Sequence, residues 1–194
     1  MSDFYITITG GKYKGKKLNS ASLSTTRSTK SILKGSLFDT LQFDIIDQNF
    51  VEVFGGSGSM GLEAVSRGAK KACFIEYDKK AYNVLVKNCQ MIDKTKTKTY
   101  LGDSFEIYPQ IVKDLKSQNQ KAYLYFDPPF DIREGMEDIY EKVLSLIKDT
   151  PKEIVLMIII EHATKTKMPK SIGEFKLKKS KKFGKSSLSY FIVE

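Results

Sequence analysis

The chain of 194 residues has no tryptophan, a single histidine and only two cysteines. One histidine, His162, leaves little room for histidine-based nucleophilic catalysis. Cys73 and Cys89 lack metal-ligand spacing, so zinc chemistry is excluded and no metal is expected. Both thiols read as reduced, mostly buried residues of a cytoplasmic protein. No stretch approaches the roughly 20 apolar residues of a membrane span, and no membrane partner is expected. The first residues, Met1-Ser2-Asp3-Phe4, lack the basic-then-apolar layout of a signal peptide.

What is present is a globular balance: 41% hydrophobic and 28% charged residues, with a net charge of +9. That size and balance suit a single domain over 1–194, with a basic N-terminal extension (1–42) and a core (43–194). A monomer is expected. The charge is unevenly placed. Residues 1–36 carry seven Lys/Arg against one acid, and residues 165–185 carry nine Lys against one acid. The remainder is net negative, at −5. Two basic flanks on a mildly acidic body suit a binder of phosphate backbones. Solvated lysine faces would give the same count, so charge alone leaves both readings open.

Along the chain, Phe4–Thr9 and Lys16–Leu18 read as short strands around a Gly10-Gly11 turn, and 28–42 has helical spacing. Strand–helix alternation follows. Strands are expected at Phe50–Phe54, Lys71–Glu76, Lys98–Leu101, 121–126 and Glu153–Ile160. Helices are expected up to about Arg67 and over 79–91, 104–117 and 136–148. Phe175–Lys178 and Leu188–Val193 read as a closing antiparallel hairpin. This order predicts an α/β fold with a Rossmann-like, mostly parallel seven-stranded sheet and an antiparallel C-terminal edge.

Two motifs carry chemistry. Gly56, Gly58 and Gly61 form G-x-G-x-x-G between a strand and a helix, where small residues let a cofactor approach the backbone. Glu76 follows at the end of the next strand, about 20 residues on, where a carboxylate can hold ribose hydroxyls. A nucleoside cofactor is the favoured reading. NAD and S-adenosylmethionine (SAM) both fit. Glu52 before Phe54, Gly55, Gly56 and Gly58 suits SAM better, because its amino-acid end needs a polar anchor rather than a pyrophosphate cradle. Tyr77 can pack on an adenine ring. Asp103 can accept the adenine amine, cap the helix that begins at Ser104, or do both.

The second motif is Asp127-Pro128-Pro129-Phe130. The prolines end a buried strand abruptly, since neither has an N–H for the ladder. The corner offers one carboxylate, backbone carbonyls and an aromatic face where open α/β sheets bind ligands. A planar base with an exocyclic amine fits it: carbonyl and carboxylate accept its N–H groups, and Phe130 stacks on the ring.

Together these segments resemble a known family. Glu52–Gly58 is similar to motif I of class I SAM-dependent methyltransferases, and Asp127–Phe130 to the D/N-P-P-F/Y motif of enzymes that methylate amino nitrogens. Gly10-Gly11-Lys12-Tyr13-Lys14-Gly15-Lys16-Lys17-Leu18, Gly61–Ala69 and the Pro corner together resemble the RsmD family over nearly the whole chain. The first of these is the most specific to that family. The resemblance implies SAM as cofactor, held by Glu52, Phe54, Gly55, Gly56, Gly58, Glu76, Tyr77, Asp103 and Ser104. It implies methylation of a guanine N2 in 16S ribosomal RNA, at the family's guanine-966-type site, on the free RNA or a small-subunit assembly particle. Asp127, Pro128, Pro129 and Phe130 would be catalytic. Lys12, Lys14, Lys16, Lys17, Arg27, Lys34, Lys182 and Lys185 would touch RNA. The segment 27–35 departs from the family: Arg27-Ser28-Thr29 lacks the usual proline, Ile32 stands where Arg is common, and Gly35 replaces a Glu. Competing readings are an amino-directed methyltransferase on DNA adenine or protein glutamine, an RNA-binding module with a vestigial SAM fold, and an NAD oxidoreductase.

Overall fold

The computed structural model describes residues 5–20, 27–129 and 138–193, with backbone only for 27–29. The chain divides into two compact units, Met1–Tyr108 and Pro109–Glu194. The division falls inside a helix at Pro109, which cannot donate to the carbonyl four residues back.

In the first unit, β1 (Tyr5–Thr7) and β2 (Lys17–Asn19) form an antiparallel hairpin with Ile6 opposite Leu18. α1 (Arg27–Leu41) follows, then β3 (Asn49–Glu52), α2 (Ser59–Ser66), β4 (Lys71–Glu76), α3 (Lys79–Ile92) and β5 (Thr97–Leu101). β3, β4 and β5 are parallel and lie in the order β5-β4-β3. Every residue of β3 is buried, as expected for a parallel strand covered on both faces. α3 starts where the Asp78 side chain accepts the Ala81 N–H at 2.8 Å, an N-cap bond.

The core beneath these strands gathers Leu62, Val65, Ala72, Phe74, Leu85, Cys89 and Ile92. Ile8 and Leu18, beside and within the hairpin, are fully buried in the same cluster. Burial of such side chains contributes roughly 1.5–3 kcal/mol each. The hairpin is thus built into this unit's core rather than appended to it. Cys89 sits in this apolar setting, which pushes its thiol pKa up to about 12.

α4 (Ser104–Ser117) leads into the second unit, which holds β6 (Ala122–Phe126), α5 (Ile139–Lys148), β7 (Val155–Ala163), β8 (Ser171–Ile172), β9 (Phe175–Phe183) and β10 (Ser186–Val193). β6 is parallel to β7, with Leu124 opposite Ile158. β10 is antiparallel to β7 and to β9, and β8 adds a two-residue antiparallel edge to β9. The strand order here is β6-β7-β10-β9-β8. β8 is the strand beyond the seven expected; its two residues are too few to show a period. Gly184 and Lys185 make the tight turn between β9 and β10, and Gly184 has φ of +62°.

Candidate functional site

The glycine loop joins β3 to α2. Gly55 N–H donates to the Ile75 carbonyl at 2.6 Å, and Gly58 N–H to the Gly55 carbonyl at 2.7 Å. Gly58 has φ of +77°, and a Cβ there would lie 2.6 Å from the Leu85 side chain. Gly61 is equally constrained, because a Cβ would meet the Phe74 ring at 2.4 Å. Gly56 differs: it has φ of +52°, is exposed, and a Cβ would meet nothing within 4 Å. The loop is therefore packed tightly underneath and open above Gly56, where a ligand can approach the backbone.

Two carboxylates hold this loop. Glu52 is 4% exposed and accepts the Gly61 N–H at 2.8 Å, so it turns inward and clamps the start of α2. Glu76 accepts the Gly56 N–H and the Asp78 N–H, each at 2.7 Å. One of these bonds goes to each carboxylate oxygen. A carboxylate has about four acceptor sites, so Glu76 can still receive two hydroxyls. Tyr77 is 76% exposed, with its ring available for stacking.

Asp103 accepts the Phe105 N–H at 2.7 Å with one oxygen, so it does act at the start of α4. Ser104 is buried and donates to the Val53 carbonyl at 2.6 Å, tying α4 to the end of β3. Phe54 and Phe105 make an edge-to-face contact with centroids 6.0 Å apart. All these residues lie in the first unit. Open backbone at Gly56, a carboxylate with acceptor capacity left at Glu76, an exposed ring at Tyr77 and a second carboxylate at Asp103 could together hold a purine nucleoside.

The Pro corner lies in the second unit. β6 is buried along its length and ends at Phe126; Asp127 and Pro129 are half-buried and Pro128 is buried. Below it the Tyr125 hydroxyl donates to Glu161 at 2.6 Å, a buried bond between β6 and β7. Phe130 lies outside the described residues. Among the described residues, no group of three or more His, Cys, Asp or Glu could hold a metal ion, and no helix is long and apolar enough to cross a membrane.

The basic segment Gly10–Lys17 is a docked loop. Lys12 N–H donates to the Ser66 carbonyl at 2.7 Å, Tyr13 N–H to Ser66 Oγ at 2.9 Å, and Ser66 Oγ to the Gly10 carbonyl at 2.6 Å. The approach is so close that a Cβ on Gly11, which has φ of +75°, would sit 1.8 Å from the Ser66 oxygen. Locked in this way, the loop leaves Lys12, Lys14, Lys16 and Lys17 exposed. Lys182 and Lys185 are also exposed, on β9 and its turn. The Arg27 side chain lies outside the described residues.

Lys34 requires a correction. Expected to face RNA, it is 2% exposed, donates to the Thr7 carbonyl at 2.7 Å and pairs with Glu63 at 3.3 Å. Burial lowers its pKa below the ordinary lysine value, and the neighbouring Glu63 carboxylate only partly opposes this. Glu63 is itself fully buried. It accepts from Thr9 N–H and Thr9 Oγ1, both at 2.8 Å, and from Arg67 Nε at 2.9 Å. Sequence reading missed this hub joining the hairpin, α1 and α2. The Gly10-Gly11 pair was its one visible trace, since paired glycines signal close backbone approach.

A family model described as conserved hypothetical protein 95 matches residues 6–192. The chain is 32% identical over 146 residues to ribosomal RNA small subunit methyltransferase D of Haemophilus influenzae, covering 73% of this chain and 70% of that one. The chain belongs to the RsmD family. Its fold is the Rossmann-like methyltransferase fold: the Escherichia coli protein yhhF, named as a methyltransferase, is 25% identical with a TM-score of 0.75 over 98% of this chain and 99% of its own. An RNA methyltransferase from Salinibacter ruber in complex with S-adenosyl-L-homocysteine (SAH) is 12% identical, with a TM-score of 0.54 over 84% of this chain and 92% of its own. That last likeness concerns the fold alone.

Proposed function

We propose that this RsmD-family chain is a SAM-dependent methyltransferase acting on the exocyclic N2 of a guanine in small-subunit ribosomal RNA. The observation that carries the reading is the docked loop Gly10–Lys17. It is the segment most particular to the family, and hydrogen bonds to Ser66 hold it in one shape with its four lysines outward. Such a loop meets phosphates with little ordering cost, because its backbone is already fixed. The family's curated members, named as ribosomal RNA methyltransferases, support the same substrate class.

In this reading Glu76 accepts the ribose hydroxyls, Tyr77 stacks on the adenine and the second oxygen of Asp103 accepts the adenine amine. The glycine loop supplies close backbone at Gly56. When bound, SAM supplies an electrophilic methyl group. Guanine N2 is a weak nucleophile, because its lone pair is delocalised into the ring. The Asp127 carboxylate and the Pro128 carbonyl accept its two N–H bonds and favour the charge that grows on nitrogen. The methylated amine must shed a proton, and Asp127 is the acceptor the corner offers. Phe130 stacks on the extruded base.

Asp127→Ala tests the assignment. Turnover is expected to fall by on the order of 10²–10³ while SAH affinity, measured by calorimetry, stays at the wild-type value. Wild-type turnover in that variant would remove Asp127 from the chemistry.

A further inference from the structure

Asn88 is the one fully buried amide side chain on α3, and nothing above uses it. Asparagine is a poor helix former and a costly residue to bury, so its place in the middle of a helix asks for a reason. Its Oδ1 accepts the Asn19 N–H at 2.9 Å, and its Nδ2 donates to the Asn19 carbonyl at 2.9 Å. The amide therefore pairs with β2 as a neighbouring strand would. The second N–H of Nδ2 donates to the Ser57 carbonyl at 2.8 Å. Ser57 stands between Gly56 and Gly58 in the glycine loop.

The same face of α3 supports that loop by packing. Leu85 lies one turn before Asn88; a methyl group of it occupies the space a Cβ would need at Gly58, and another lies 3.3 Å from where a Cβ would sit at Gly55. Leu85 sets how deep the loop sits. Asn88 sets where its carbonyl points, and ties that carbonyl to the last residue of the hairpin. The hairpin's other end is the lysine loop docked on Ser66.

We propose that Asn88 is a positioning residue that couples the basic hairpin to the glycine loop, so that RNA on the hairpin and cofactor on the loop strengthen each other's binding. This rests on the assignment of the loop to SAM and the hairpin to RNA. Phosphates that fix the hairpin also fix Asn19, and through the Asn88 amide they fix the Ser57 carbonyl. The cofactor then meets a loop whose ordering cost has already been met, and the converse holds for RNA. By linkage the two enhancements are equal.

The test uses SAH as the cofactor probe and a transcript of small-subunit ribosomal RNA. In wild type, SAH is expected to bind about fivefold more tightly when the transcript is present, the low end of usual couplings. In Asn88→Ala the enhancement is expected to vanish, and SAH alone to bind more weakly than to wild type. Ile92→Val, a core change on the same helix away from the loop, lowers Tm but leaves both SAH affinity and the enhancement in place. Asn88→Ser serves if the alanine variant does not fold. Hydrogen exchange on wild type needs no variant: SAH should slow the Leu18 and Asn19 amides. Unchanged exchange there, or an Asn88 variant with wild-type SAH affinity and full enhancement, overturns the inference alone. Failure of wild type to bind SAH overturns the cofactor reading and the inference with it.

Discussion

Replacing Glu63 with Gln removes one charge and leaves the shape nearly unchanged, so it isolates what the buried carboxylate does. Four donors converge on it: Thr9 N–H, Thr9 Oγ1, Arg67 Nε and Lys34 Nζ. Gln keeps one acceptor oxygen but turns its NH₂ toward groups that also donate. Arg67 is 23% exposed and can recover some hydration, whereas the Lys34 side chain is only 3% exposed and cannot. Breaking a buried pair from one side costs about 3–5 kcal/mol, because it strands the remaining charge. Against a typical stability of roughly 5–15 kcal/mol, that is a large share. Tm should fall by on the order of 10 °C for a chain of this size. The assay is urea unfolding followed by circular dichroism, on Glu63→Gln, Lys34→Met and the double variant. Removing the stranded charge should restore stability, so the double variant is expected to be more stable than Glu63→Gln alone. A single variant within about 0.5 kcal/mol of wild type would refute the hub. So would a double variant less stable than Glu63→Gln.

Other consequences are quicker to check. Gly11→Ala adds a Cβ 1.8 Å from the Ser66 oxygen at φ +75°, so the lysine loop must leave its dock. Weaker RNA binding is expected by filter binding; unchanged RNA binding contradicts the dock. Lys34 has its pKa lowered chiefly by burial, so between its folded value and 10.5 the unfolded chain binds more protons. Stability should therefore rise with pH through that window, and Lys34→Met should flatten the rise. Equal slopes would mean that burial does not lower the Lys34 pKa in the folded chain. RNA affinity should fall steeply with salt, and each lysine of the loop removed should lower the log–log slope by about 0.9 for duplex contacts or 0.7 for single strands. A salt-independent affinity would count against phosphate contacts.

Much of the fold can be read along the chain. Lys71–Glu76 and 104–117 have the expected bounds, because each has a clear period and a clean stop. β7 runs from Val155 to Ala163, past the expected end at Ile160. Glu161 and His162 look like a strand's exit, yet both are buried, paired with Tyr125 and with Ser189 on neighbouring strands. The glycine loop and Glu76 are legible because their spacing is local. Lys34 and Asn88 are not. A lysine between Leu33 and the Leu37-Phe38 pair looks solvated until Glu63, 29 positions later, is placed beside it. Asn88 looks like a surface amide until Asn19 and Ser57 close on it. Periodicity reports which face a residue is on; it does not report the partner that makes a buried charge or amide tolerable.

The most direct test of the central claim is the product. The purified protein is incubated with small-subunit ribosomal RNA and SAM carrying a labelled methyl group, and the RNA is digested to nucleosides for mass spectrometry. Label in N2-methylguanosine, lost in Asp127→Ala, is the predicted result. Label on adenine N6, or no label in RNA while SAH still binds, would contradict it.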